Sequence, residues 1–123
     1  MTASPFPDGF AAWPTAGLLH VDVRPAASGV VVAARGDLER ASVPILAGCL
    51  VEFLEADVPG GTVVVDLAGV DFVDVGGMLV LLGATRRAAE RGSTLYLAGC
   101  NALLIRMLQL TGNIGAVNIA AAE

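Results

Sequence analysis

The chain has 123 residues and a formal charge of −5, and 55 % of its residues are hydrophobic. That suffices for one domain with a buried core, and the acidic balance excludes nucleic-acid binding, which needs a basic stripe against phosphates. All seven basic residues are arginine, so chemistry that depends on a lysine amine, including P-loops and Schiff bases, is excluded as well.

Residues 1–17 contain Pro5, Pro7, Pro14, Gly9 and Gly17, which predicts an irregular arm. Phe6, Phe10 and Trp13 are half of the aromatic residues of the chain, and the arm is expected to pack on the domain or on a twin subunit. Its start, MTASPFPDGF, lacks the basic cap and apolar block of a signal peptide. No apolar run reaches the length of about 18 residues that a membrane span requires. With two distant cysteines, Cys49 and Cys100, the simplest reading is a cytoplasmic, reduced protein without direct membrane insertion.

From Leu18 the pattern alternates, with Leu19, Val21 and Val23 on one face. Pro25 to Gly29 is a turn, and Val30 to Ala34 completes a hairpin. In GDLERASVPIL, Ser42 is placed to cap a helix that has Pro44 in its first turn. Leu46, Cys49, Leu50, Phe53 and Leu54 form its apolar stripe, to about Asp57. The stretch VVVDLAGVDFVDVGG then organises the chain: a buried strand from Thr62 to Leu67, a turn, and a helix over 75–91 capped by Asp74. Met78, Leu81, Leu82, Thr85 and Ala89 trace the expected buried stripe of that helix, and Gly92 ends it. A strand from Thr94 to Leu97, a helix from about Asn101 to Leu110 and a short strand at Val117 to Ile119 follow. This order predicts an α/β fold, a mixed four- to five-stranded sheet packed by helices, with right-handed crossovers.

Three blocks in this order, GDLERASVPIL, VVVDLAGVDFVDVGG and LYLAGCNALLIRMLQLTG, resemble the STAS domain of anti-sigma-factor antagonists and sulfate transporters. The resemblance covers Leu18 to Ile119 and assigns residues 18–123 to a single STAS domain. It implies a non-enzymatic protein-binding switch with no cofactor and no metal. In that family the domain binds an anti-sigma factor, commonly a serine kinase, and phosphorylation of a serine at the start of the helix breaks the complex. Asp74 matches the acid before that serine, Gly77 the following glycine, and Glu39 the acid of the facing loop. The serine itself falls on Val75 and the next small hydroxyl residue on Gly76. Valine has no hydroxyl, and no Ser or Thr stands between Asp66 and Thr85, so the phospho-switch is absent at its usual place.

The expected partner-binding surface is Glu39, Asp74, Val75, Gly76, Gly77, Leu79 and Gly83, small and apolar at the helix start. Its partner is an anti-sigma factor or, for an accessory STAS subunit of a lipid-moving transport complex, the ATPase subunit of a transporter. A small-ligand sensor is a third alternative. The acids Asp66, Asp71 and Asp74 are read as structural, and Cys49 as a core residue with no redox role.

Overall fold

A computed structural model of the protein describes residues 11–12, 19–27, 29–55 and 61–120, with side chains excepted at 11–12 and 53–55. The aromatic arm residues Phe6, Phe10 and Trp13 lie outside the described residues, as do the packing of Phe53 and Leu54 and the end of the first helix beyond residue 55. The elements in order are β1 (Ala11–Ala12), β2 (Leu19–Ala26), β3 (Gly29–Leu38), α1 (Val43–Glu55), β4 (Thr62–Val73), α2 (Val75–Glu90), β5 (Thr94–Ala98), α3 (Ala102–Leu110), a single 3-10 turn (Ile114–Ala116) and β6 (Asn118–Ile119).

The sheet runs in chain order, β1 to β6. β1–β2 and β2–β3 are antiparallel, and every pairing from β3 onward is parallel. Four long strands thus carry the expected mixed sheet, with a two-residue strand added at each edge. The strand at Ala11–Ala12 was not legible in the proline-rich arm. Because each new strand is added on the same side, crossovers of one hand place all the helices on one face. Accordingly α2 packs between α1 and α3.

The inward residues of β2 are Leu19, Val21 and Val23, as alternation requires, and those of β3 are Val30, Val32, Ala34 and Leu38. β4 corrects the sequence reading: it does not end at Leu67 but continues to Val73. Two register shifts against β3 each insert one extra residue into β4. The buried positions therefore change from Val63, Val65 and Leu67 to Val70 and Val73, three apart instead of two. An alternation count made on the sequence breaks at the first bulge, which is why this stretch looked like a turn.

The buried stripe of α2 is Gly77, Met78, Leu81, Ala84, Thr85 and Ala88. Leu82 is only half-buried and Ala89 is exposed, so the helix is rotated slightly from its expected facing. At its end the Gly92 N–H donates to the Ala89 carbonyl and the Ser93 N–H to the Ala88 carbonyl, with Gly92 at φ +79°, a left-handed position that glycine adopts without strain. The core joins these residues to Leu46, Cys49 and Leu50 of α1, Leu95 and Leu97 of β5, and Leu104 and Leu108 of α3.

Gly77 is where the start of α2 meets β3. A Cβ there would stand 2.7 Å from the Leu38 carbonyl oxygen and 2.8 Å from its Cγ. At Gly83, further along the same helix, a Cβ would meet nothing within 4 Å. Urea unfolding is expected to separate the two: Gly77→Ala loses about 1–3 kcal/mol through overpacking. Gly83→Ala gains roughly 0.5–1 kcal/mol because the unfolded chain is less free.

Candidate functional site

The site forms where the C-terminal ends of β3 and β4 deliver their chains to α1 and α2. Asp74 is its joint. The Asp74 N–H donates to the Leu38 carbonyl at 3.1 Å, in line with the last rung of the sheet. Its backbone is extended (φ −95°, ψ −177°), and its Oδ1 accepts the Gly77 N–H at 2.8 Å, capping α2. Its Oδ2 accepts the Arg40 N–H at 2.9 Å, from the loop that leads into α1. One carboxylate therefore ties a helix start to a loop 34 residues away in sequence.

That loop is closed by Ser42. Its hydroxyl donates to the Asp37 carbonyl at 2.7 Å and accepts the Glu39 N–H at 3.0 Å, and the residue is fully buried. The expected cap of α1 by the Ser42 side chain is thus corrected. The residue holds the position before Val43, but its hydroxyl turns back on the loop. A buried hydroxyl takes the nearest unpaired partners, and here those belong to the Asp37–Glu39 turn. Glu39 bends over its own turn, with Oε1 accepting the Ala41 N–H at 2.9 Å. At the other side, the Asn101 side chain accepts the Leu104 N–H to cap α3 and donates to the Val70 and Asp71 carbonyls at 3.3 Å.

Of the seven residues expected at the site, the fold brings Glu39, Asp74, Val75, Gly76 and Gly77 together at this corner. Leu79 and Gly83 follow along α2. Val75 is 59 % exposed and Leu79 56 %, one helical turn apart, with Phe72 46 % exposed at the end of β4. Gly76 is half-buried, and a Cβ there would lie 3.9 Å from Val43 of α1. Gly77 is buried and forms the floor of the corner, letting the helix backbone approach Leu38. Gly83 lines a shallow apolar cleft of about 160 Å³ between Ala47, Leu50 and Val51 of α1 and Val80 and Ala84 of α2. Sequence reasoning missed this cleft, because its two walls come from helices separated by a whole strand.

Asp66 does not join Asp74. Its Oδ1 accepts the Ala68 N–H at 3.0 Å, inside its own bulged turn. Among the described residues, no three His, Cys, Asp or Glu side chains are grouped so as to hold a metal ion, and no helix is long and apolar enough to cross a membrane. Cys49 lies in the core at zero exposure. Burial, and secondarily the Glu52 carboxylate, push its thiol up to about 12 from its usual 9.0. Burial also raises the Cys100 thiol. A thiol with a raised pKa is less ionised, and so less nucleophilic, at neutral pH.

The family model described as "Mlab, STAS domain" matches residues 21–115, and the chain belongs to the STAS domain family. The fold is similar to that of an anti-sigma factor antagonist from Mycobacterium paratuberculosis, with a TM-score of 0.73 and 19 % identity over 85 % of this chain and 86 % of that one. It is also similar to an anti-sigma-factor antagonist (STAS) domain protein from Planctomyces limnophilus, with a TM-score of 0.72 and 18 % identity over 84 % of this chain and 91 % of that one. The murine anion transporter Solute Carrier 26 family member A9 matches with a TM-score of 0.64 and 17 % identity, over 81 % of this chain and 17 % of the transporter. At these identities the likeness shows a shared fold. No curated protein matches the chain.

Asp74→Ala removes two acceptors at once and is expected to cost about 1–2 kcal/mol in thermal unfolding. The same change should speed amide exchange at Arg40 and Gly77 and leave it unchanged in the middle of β5. For Cys49 the unfolded chain ionises near 9.0 and the folded chain near 12, so stability falls as pH rises across that window. At pH 8 iodoacetamide is expected to leave Cys49 unmodified in the native protein and to label it fully in urea.

Proposed function

We propose that this STAS domain is a non-enzymatic docking module of the anti-sigma-factor-antagonist type. It acts in the cytoplasm and binds its partner through the corner at the start of α2 without phosphorylation. The observation that carries the reading is the pair Val75 and Leu79: two large apolar side chains, more than half exposed, on a helix start held by three hydrogen bonds of Asp74. An exposed apolar pair on a rigid corner buries its area on binding with little ordering cost. Glu39, Gly76 and Gly83 extend the contact surface to either side, and Gly77 sets its depth.

The same atoms support control without a phospho-switch. Val75 offers no hydroxyl where the family carries its serine. Thr85, the next hydroxyl along the helix, is buried and donates to the Leu81 carbonyl at 2.8 Å. A phosphoserine would bring about −1.5 to −2 of charge next to Asp74. Without it, the apolar corner stays competent to bind at all times, and control passes to abundance or to a separate signal. Similarity along 86 % and 91 % of two stand-alone antagonists supports this reading.

A second reading, an accessory STAS subunit docked on the ATPase of a membrane transport complex, uses the same corner. It is favoured by the family model, which is named for MlaB and not for the antagonists, and by the presence of the fold within a murine anion transporter.

Affinity purification of the tagged chain from its own host separates the two. The expected result is co-purification of an anti-sigma factor by the wild-type chain. Recovery with Leu79→Glu should fall at least roughly tenfold, the equivalent of losing one buried leucine contact, with circular dichroism unchanged. An ATPase subunit in the same lane transfers the assignment to the transporter reading. Equal recovery by Leu79→Glu removes the corner from both.

A further inference from the structure

Two helical stripes share the outer surface beside the corner. On α2, Val75, Leu79, Leu82 and Arg86 recur at spacings of four, three and four, and on α3 Leu103, Met107 and Leu110 recur at four and three. At these spacings side chains stand one above another along one side of a helix. The α2 stripe lies toward α3. Met78, one turn before Leu82, meets the Thr111 hydroxyl at the end of α3 at 3.8 Å, whereas Val80, Gly83 and Ala84 face α1. The two stripes are therefore neighbours. Leu103 is 44 % exposed and Leu110 73 %, beside the exposed Val75 and Leu79, and Leu82 and Met107 are half-buried. Six apolar side chains on one face are more than the scattered single residues of an ordinary surface.

Charge marks the two ends of this face. α2 and α3 follow the parallel strands β4 and β5, so they run in the same direction. At their starts stand Asp74 and the exposed Asp71, whose carbonyl accepts the Asn101 side chain that caps α3. Arg40 belongs to the loop before α1, on the other side of α2. The far end of α2 carries the exposed Arg86, Arg87 and Arg91 against one acid, Glu90, which pairs with Arg87 at 3.5 Å. Arg106 is exposed midway along α3. A face with an acidic end, an apolar middle and a basic end complements itself when the helices of a second copy run the opposite way.

We propose that the α2–α3 face binds a second copy of this chain across a two-fold axis near Leu82 and Met107, with Asp71 of each copy meeting Arg86 of the other. The stretch from Val75 to Arg86 is about 16 Å long, and two helices packed about 9 Å apart are roughly 20 Å wide. Pairing two such faces buries on the order of 1,000 Å², the lower limit for a specific interface, so the pair is reversible. It covers Val75 and Leu79 and thereby withholds the docking corner at high protein concentration. That consequence rests on the docking reading above, whereas the pairing itself does not.

Sedimentation equilibrium of the full chain, from about 5 to 500 μM, tests the pairing with no other protein present. A monomer–dimer equilibrium on the order of tens of micromolar is expected. Leu110→Glu, at a side chain exposed enough to leave folding intact, is expected to weaken it at least roughly tenfold with circular dichroism unchanged. Asp71→Arg and Arg86→Asp each bring like charges together at both ends, and each is expected to weaken pairing about fivefold. The two changes combined restore it to within about twofold of the unaltered chain, a recovery specific to antiparallel pairing of identical faces. A chain that stays monomeric at every concentration overturns the proposal. So does a dimer that Leu110→Glu leaves intact, or a double charge reversal as weak as the single ones. A monomeric chain that captures another protein, and loses it with Leu110→Glu, assigns the face to that protein and refutes the second copy.

Discussion

The structure depends on one carboxylate. Asp74 caps α2, pairs with the end of β3 through its own N–H, and holds the loop before α1 through Arg40. Each contact is worth about 1 kcal/mol by itself. Their value lies in being made by one residue, which fixes the relative position of two helix starts. Ser42 does the same inside the loop, where its buried hydroxyl serves as both donor and acceptor. The corner is rigid because its polar groups are spent on one another. Among the described residues, no buried side-chain nitrogen or oxygen is left without a partner.

A rigid corner with its polar groups satisfied presents apolar side chains outward. Val75 and Leu79 stand on it without a hydroxyl beside them, and the α1–α2 cleft continues the apolar surface away from the corner. On the proposed docking role, such a surface is recognised by shape and burial. Burial raises the thiols of Cys49 and Cys100.

The sheet order places this corner. Strands are added one after another on the same side, so all helices share one face, and the two helix starts after β3 and β4 become neighbours.

Much of this was legible in the residues. Alternation located β2, the Asp74 cap and the Gly92 stop were chemically marked, and the three motif blocks pointed to the STAS fold. These features are local, carried by side chains within four residues of the groups they serve. What only the tertiary structure decided is long-range or turns on a single inserted residue. The bulges that carry β4 to Val73 depend on its pairing with β3, the inward turn of Ser42 on burial, and the Asp74–Arg40 bond on crossing 34 residues. The α1–α2 cleft likewise exists only once the two helices lie side by side. A sequence states which groups are available, and packing determines which of them meet.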